Sequence, residues 1–388
     1  MPREYKWRLF KIEWHEGVKI IRTFVPPLPS KGLAYRLILA ICFVISSLLA
    51  LPAVGKVDVI WAANPNILSM IPAIFYSKIK KGPIALNVDD LWPEFLYAPS
   101  IKQSSLVKRI AYFMAKIAYS RAKVITPISP GYVEVICRKY GISRERVHVV
   151  RAGVNLSRFM AISNPHRCNE NVFRVLYSGA FSVAYDFDQV MLAAKMLENV
   201  DDIEFVLQGG GELSGYLKAR VKELGLKNVK VINRIVSRDE VAKLLSEADA
   251  LILPLRDFGS PYLGVSSKLY EYQAAGKPII CCAEGEPARY VEEAKSGIVV
   301  KPGDYKALAK AVLYLRKNRE LAEELGGNGR KYVEDKLSIE KIGLQMKKIF
   351  RALLMRGRNV SPASHRRLGN VQKAPLTRFS REGDVSFS

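Results

Sequence analysis

Short apolar runs alternate with amphipathic helical stretches along almost the whole chain, and this alternation constrains the fold more than any other feature. VDVIWAA (57–63), PIALNV (83–88), KVITPIS (123–129) and VHVVRAG (147–153) read as buried parallel strands. Between them, SLVKRIAYFMAKIAYSRA (105–122) reads as a helix with an apolar and a basic face. The second half repeats the scheme. FRVLYSG (173–179), IEFVLQGGG (203–211), VKVINRI (229–235), ALILPL (250–255), PIICC (278–282) and GIVVKPGD (297–304) carry strands separated by helices. Strands that alternate with helices require a parallel sheet covered on both faces. The fold class is therefore α/β, as two tandem Rossmann-like domains. Their cleft would face the carboxyl ends of both sheets, where ligands bind in such folds.

The polar stretch SNPHRCNENV (163–172) supplies the linker. It divides the chain into a first domain, 1–160, and a second, 161–340, followed by a closing helix at 341–355. Residues 356–388 lack apolar periodicity and read as a disordered basic tail. The first domain holds one exceptional segment, the uncharged run LILAICFVISSLLALPAV (37–54) between Arg36 and Lys56. It stands at the lower edge of a membrane span. The alternative is a helix buried in the domain or lying in a membrane interface, and Pro52 with two serines favours that alternative. The N-terminal residues are too polar for a signal peptide.

The formal net charge of +23 calls for an anionic partner: an acidic membrane face, phosphorylated substrates or nucleic acid. Nucleic acid is the weakest of these, because no arginine-rich motif, zinc spacing or RNP-like aromatic pattern accompanies the charge. Five cysteines without CxxC spacing fit reduced thiols in a cytoplasmic protein. Four scattered histidines make no metal site, and His148, inside the apolar run VHVV, reads as structural.

Two stretches of the second half bear on chemistry. QGGGE (208–212) lies between a strand and a helix without G-x-G-x-x-G spacing. Gly209 and Gly210 either make a tight turn or let the backbone approach a ligand phosphate. GVSSK (264–268) opens a helix that continues LYEYQAAGKP. Gly264, Val265, Ser266 and Ser267 would offer bare backbone and free N–H groups at a positive dipole end, and Lys268 a full charge, so a diphosphate suits this place. Glu271 shares a helix face with Lys268 and would accept hydrogen bonds from paired sugar hydroxyls. The plain alternative is an exposed ion pair between the two, worth under about 1 kcal/mol.

The runs ADALILPL, GVSSKLYEYQAAGKPIICCAEGE and SGIVVKPGDYKALAKAV resemble the donor-binding half of family 4 glycosyltransferases, which have the GT-B fold. NVDDLWPE (87–94) is similar to the DLWPE segment of a polysaccharide-building branch, and the resemblance covers residues 12 to 350. It implies a retaining transfer from a nucleotide-diphosphate sugar, with no cofactor and no essential metal. Basic side chains and a helix N-terminus would stabilise the departing diphosphate. Glu271 matches the second glutamate of the family's pair, which holds the nucleotide ribose, and Gly264 to Ser266 match the backbone that meets the phosphates. The first glutamate of that pair is replaced by Leu263, and the usual Asp of the GVD motif by Asn155. SGAFSVAYDFD (178–188) lacks the family's basic pair, for which Arg256 or Lys268 would compensate. Asp90 and Glu94 are candidate acceptor or base contacts, or Asp90 is a helix cap. The family's first strand and Gly-rich loop are absent, the first strand candidate being VKIIRTF (18–24), as in a truncated relative.

The leading expectation is a transferase held peripherally on the inner face of the cell membrane, acting on a glycan or polyprenyl-linked acceptor. The alternatives are a non-catalytic nucleotide-sugar-binding scaffold and a sugar-nucleotide 2-epimerase, against which the SSKLYEY motif argues.

Overall fold

The computed structural model describes residues 8–28, 33–64, 67–94, 104–160, 171–257 and 264–357. The described residues open with an antiparallel hairpin, β1 (Phe10–His15) and β2 (Val18–Thr23), which turns over Glu16 and Gly17. The two strands pair with each other and stay outside the parallel sheets. The run at 18–24 is thus a strand, but of a ribbon.

The apolar run that follows folds as α1 (Leu33–Leu49) and then turns through Pro52 in a short 3-10 segment. One face of α1 is tied to protein: Ser46 Oγ donates to the Phe24 carbonyl at 2.8 Å, and Tyr76 donates to the carbonyl of Ser47. Among the described residues no helix is long and apolar enough to cross a membrane, which corrects the span considered for 37–54.

β3 (Ile60–Asn64), α2 (Met70–Lys80), β4 (Ile84–Val88), α3 (Ser105–Arg121), β5 (Val124–Pro127) and α4 (Pro130–Tyr140) complete the first domain. The three strands pair in parallel in chain order. β4 is central and every residue of it is buried, as a strand covered on both faces must be. VHVV forms no regular strand. It runs beside β5, with His148 N donating to Ile125 O and Val150 N to Pro127 O at 2.9 Å each. The His148 side chain is exposed rather than enclosed among its apolar neighbours.

After the single turn α5 (Ser157–Met160), the second domain runs β6 (Phe173–Ala180), α6 (Phe187–Met196), β7 (Ile203–Gly210), α7 (Ser214–Glu223), β8 (Val229–Asn233), α8 (Arg238–Glu247), β9 (Ala250–Pro254), α9 (Ser267–Ala274), β10 (Ile279–Cys282), α10 (Glu286–Glu293), β11 (Gly297–Val300), α11 (Tyr305–Lys317) and α12 (Arg319–Lys336). Its six parallel strands lie in the order β11-β10-β9-β6-β7-β8. This is the doubly wound order, reversing between β6 and β9. β9 and β10 are wholly buried, so ALILP and IICC read as continuous apolar runs because both faces carry helices.

The last helix, α13 (Ile339–Gly357), returns to the first domain, where Leu353 packs on Ala85 and Val124. At the crossing, Val154 N donates to Leu337 O at 2.9 Å and Ile339 N to Val154 O at 3.2 Å. Most of the expected linker and nearly all of the expected tail, with Cys168 and Leu263, lie outside the described residues. The cysteines within them are free thiols, Cys281 and Cys282 fully buried.

Candidate active site

A doubly wound sheet opens a crevice where its strand order reverses, beyond the carboxyl ends of the two diverging strands. Here those ends are Ser178–Gly179–Ala180 of β6 and Pro254 of β9. The loop after β6 closes the crevice floor: Asp186 N donates to Pro254 O at 2.8 Å and Arg256 N to Ala184 O at 3.0 Å. Arg256 thereby anchors the loop by its backbone while its side chain is exposed.

β6 and β7 run in register, Gly179 beside Gly209. A Cβ on Gly209 would stand 1.7 Å from the Gly179 carbonyl oxygen, and one on Gly210 3.3 Å from Ile235. The bare backbone at 209 is therefore required by the neighbouring strand. Of the two readings of QGGGE, close packing accounts for Gly209, and Gly210 has only the Ile235 side chain near it. Beneath them the buried Gln208 accepts from Ser178 Oγ and donates to Arg234 O, both at 2.6 Å, which fixes the rim.

α9 borders the crevice. Ser266 caps it, its Oγ accepting from Lys268 N at 3.4 Å. Leu269, Tyr270, Tyr272 and Gln273 are buried, so the helix is locked in rotation and its half-buried corner carries Lys268 and Glu271. The two do not pair with each other. Lys268 reaches the end of β6, its Nζ donating to Tyr185 Oη at 3.1 Å and lying 5.1 Å from the Tyr185 ring centre. A Cβ on Gly179 would stand 2.7 Å from that Nζ. Lys268 thus brings a cation to the loop that has no basic residue of its own. Glu271 accepts instead from Arg238 of α8 at 2.7 Å.

The first domain faces this corner with the start of α4. The hydroxyl of Tyr132 occupies the space beside Gly264, where a Cβ would come within 2.3 Å of it. On its Cβ side Gly264 therefore accommodates the opposite domain. Val265 is buried beside it. Ser129 Oγ donates to Glu286 Oε2 of α10 at 2.7 Å in a buried bond. The Glu286 carboxylate packs on Gly131, at the positive end of α4, a favourable place for an anion. Burial first, and then the nearby Asp90 charge, push the Tyr132 phenol up. Asp90 follows β4, and burial raises its carboxyl above the usual range. Asp89 is raised by burial too, with Asp90 adding and a bond from Asn87 opposing.

Glu94 does not join this group. It is 1% exposed, accepts from Tyr140 Oη at 2.7 Å and pairs with Lys139 at 2.9 Å, at the opposite end of α4. So buried a carboxylate, held by Tyr140 and Lys139 of its own domain, has a structural role there.

The residues that the sequence reading did not single out are Tyr132, Tyr185, Arg238, Glu286 and Arg151. Arg151, from the segment that leaves the first domain, lies 4.8 Å from the Tyr290 ring centre and 3.5 Å from Glu293. Each acts through a partner far away in sequence. Among the described residues no cluster of three or more His, Cys, Asp or Glu side chains stands ready to hold a metal ion.

Comparison with known proteins is consistent with this geometry. The family described as glycosyl transferases group 1 matches residues 160–332, and Glycosyltransferase Family 4 matches 4–158. An uncharacterized glycosyltransferase of Methanocaldococcus jannaschii is 23% identical over 250 residues, which make 62% of this chain and 63% of that protein. A D-rhamnosyltransferase of Pseudomonas aeruginosa is 27% identical over 233 residues, 59% of this chain and 58% of its own length. The chain thus spans less than two thirds of the curated relatives it matches. Sucrose-phosphate synthase from Thermosynechococcus elongatus has the same fold, with a TM-score of 0.71 at 20% identity, covering 90% of this chain and 87% of that one.

Proposed function

The chain belongs to the group 1, family 4 glycosyltransferases, and we propose that it moves a sugar from a nucleotide-diphosphate donor to a glycan or lipid-linked acceptor with retention of configuration. The observation that carries this reading is Lys268 across Gly179 at the point where the strand order reverses. A diphosphate in that crevice meets a cation and the positive end of α9 together. As the sugar–phosphate bond breaks, negative charge grows on the diphosphate, and fixed positive groups lower the barrier because they need no reorganisation. Glu271, oriented by Arg238, takes the ribose hydroxyls. Asp90, with its raised carboxyl, is the acceptor-side group suited to receive a proton. Arg256, exposed beside the floor, adds charge to the leaving group.

A membrane-bound acceptor is supported by the outer face of the first domain. Leu106, Ile110, Phe113 and Ile117 lie along one side of α3 and are all exposed, Phe113 at 63%. Arg109 and Lys116 are exposed among them, and Leu37, Ile38, Ile41 and Ile45 of α1 are exposed as well. Such a face, on a chain of net charge +23, suits an anionic bilayer surface at the inner side of the cell membrane.

The experiment is calorimetric titration of UDP, GDP and ADP into the protein and into Glu271→Ala, followed by assay of nucleotide release from the matching sugar donors. One nucleotide binding in the micromolar range, lost in the variant, with turnover, upholds the reading. Binding without turnover would favour the non-catalytic alternative, which draws on the loop 181–186 lacking a basic residue. No binding by any nucleotide would overturn both.

A further inference from the structure

The first domain has a second concave site at the end of its sheet remote from the crevice. A cavity of about 890 Å³ opens at the amino ends of β4 and β5, bounded by α2, α3 and α13. Asp90 follows the carboxyl end of β4, so the strand separates the two sites by roughly 15 Å.

Among the described residues the cavity wall carries Lys78, Arg121, Lys123, Arg146, His148 and Lys348, and no carboxylate. Lys78 and Arg121 stand in the last turns of α2 and α3, where a helix dipole favours cations. That account does not extend to Lys123, which precedes a strand, nor to Lys348, in the middle of α13. Among the described residues, Lys78, Arg121, Lys123 and Lys348 form no ion pair with a carboxylate, and all four are exposed. Arg146 differs from them. It donates to the carbonyls of Tyr119 and Ser120 at 3.0 and 3.2 Å, closing α3, while its Nε is buried without a hydrogen-bond partner. The floor is apolar, made by Ile84, Val124 and Leu353.

Gathering this many cations around one concavity raises mutual repulsion that an anion relieves, and the low-dielectric floor focuses their field. A rim of cations over an apolar floor fits a phosphate carried on a carbon skeleton. We infer that this cavity is a second binding site, distinct from the donor crevice, for a phosphate ester. Lys348, Ile349 and Leu353 belong to α13, so the occupant also fastens the returning helix to the first domain. The ester has two sources, a soluble metabolite or a phospholipid head group. Ile117, last of the exposed apolar line on α3, stands close in sequence to Ser120 in the cavity wall, so the lipid source is within reach. The inference does not depend on the donor reading.

The test uses the full chain with two probes: glycerol 3-phosphate in calorimetry, and sedimentation with phosphatidylcholine vesicles with and without phosphatidic acid. The variants are the charge reversal Lys123→Glu/Lys348→Glu and the filling change Ala352→Trp at an exposed wall position, with Lys222→Glu on α7 as a charge control. Melting curves and nucleotide titration verify that fold and donor crevice are intact. The expected result is binding of at least one probe, weakened about tenfold or more by both cavity variants and much less by the control. Soluble ester alone assigns the metabolite source, and phosphatidic acid alone assigns the head group. Absence of binding to either probe, or equal losses in cavity variants and control, would overturn the inference.

Discussion

The aliphatic end of Lys268 lies across Gly179, so near that a Cβ there would stand 2.1 Å from Lys268 Cε. The glycine also has φ +149°, a conformation that side chains rarely adopt. Gly179→Ala should therefore both strain the strand end and push the cation out of the crevice. Lys268→Met, which keeps the aliphatic length, isolates the charge. Its expected effect is a loss of about tenfold or more in nucleoside diphosphate affinity, with little change for the nucleoside alone. Calorimetry with both ligands checks this, and equal losses would refute a diphosphate contact.

Glu271 and Arg238 form a rim pair, Arg238 being 70% exposed. Such a pair adds under about 1 kcal/mol to stability, so Glu271→Ala should melt close to the parent. Nucleotide binding should fall, and with it the preference for a ribonucleotide over its 2′-deoxy analogue. If the variant still discriminates between UDP and dUDP, or between the corresponding pair of the nucleotide that binds, Glu271 does not hold the ribose.

The contact between Tyr132 and Gly264 sets the distance between the domains. A Cβ at 264 would meet the phenol oxygen at 2.3 Å but the ring carbon Cζ only at 3.2 Å. Gly264→Ala should thus hold the cleft open at a cost of about 1–3 kcal/mol, lowering kcat more than donor affinity. Tyr132→Phe, placed on top, removes the clashing atom and should restore part of the rate. A double change no better than the single one would show that the clash is not the cause.

Acid sensitivity has a specific source in the second domain. Burial alone would raise Glu204, but hydrogen bonds and charge from Lys230 and Arg174 outweigh it and hold the carboxyl below the usual range. A depressed folded-state pKa contributes stability above the unfolded value, near 4, and that contribution disappears as pH falls through the folded value. Glu204→Gln should destabilise at pH 7 and much less at pH 3. Urea denaturation of both proteins at the two values measures the difference, and a pH-independent gap would contradict the assignment.

Ile110→Ser/Phe113→Ser removes two members of the exposed line on α3, 52% and 63% open. Burial of that apolar area in a bilayer is worth about 25 cal/mol per Å². Vesicle flotation with anionic lipid should fall sharply, while nucleotide binding and melting stay as they were. Unchanged flotation would remove α3 from the membrane contact.

The second domain was largely legible because its signals are local. ALILP and IICC are apolar throughout, and the helices after β6, β8, β9 and β11 start on the capping residues Asp186, Ser237, Ser266 and Asp304. The Lys268 and Glu271 corner was legible for the same reason. Gly209 was not: the atom that demands it is the Gly179 carbonyl on the next strand, thirty positions away in sequence. Glu94 looked like a cleft acid because it follows a strand, yet the chain turns at Trp92–Pro93 and takes it to Tyr140 and Lys139. In the 37–54 run Pro52 already argued in the sequence against a span, and the helix ends at Leu49, before the 3-10 turn that holds Pro52. Glu286 closes the run that carries the family resemblance, yet only the folded approach of α4 gives it Ser129.

The backbone bonds that Val154 makes with Leu337 and Ile339 have a mechanical consequence. Among the described residues the chain leaves the first domain near Val154 and returns to it after Leu337, and these bonds draw the two stretches side by side. Two bodies joined along a line can turn about it but cannot slide apart without breaking the seam. Opening and shutting then has a single soft coordinate, an angle. Displacement grows in proportion to distance from that spine, so one label pair placed on the outer lips would read the whole motion.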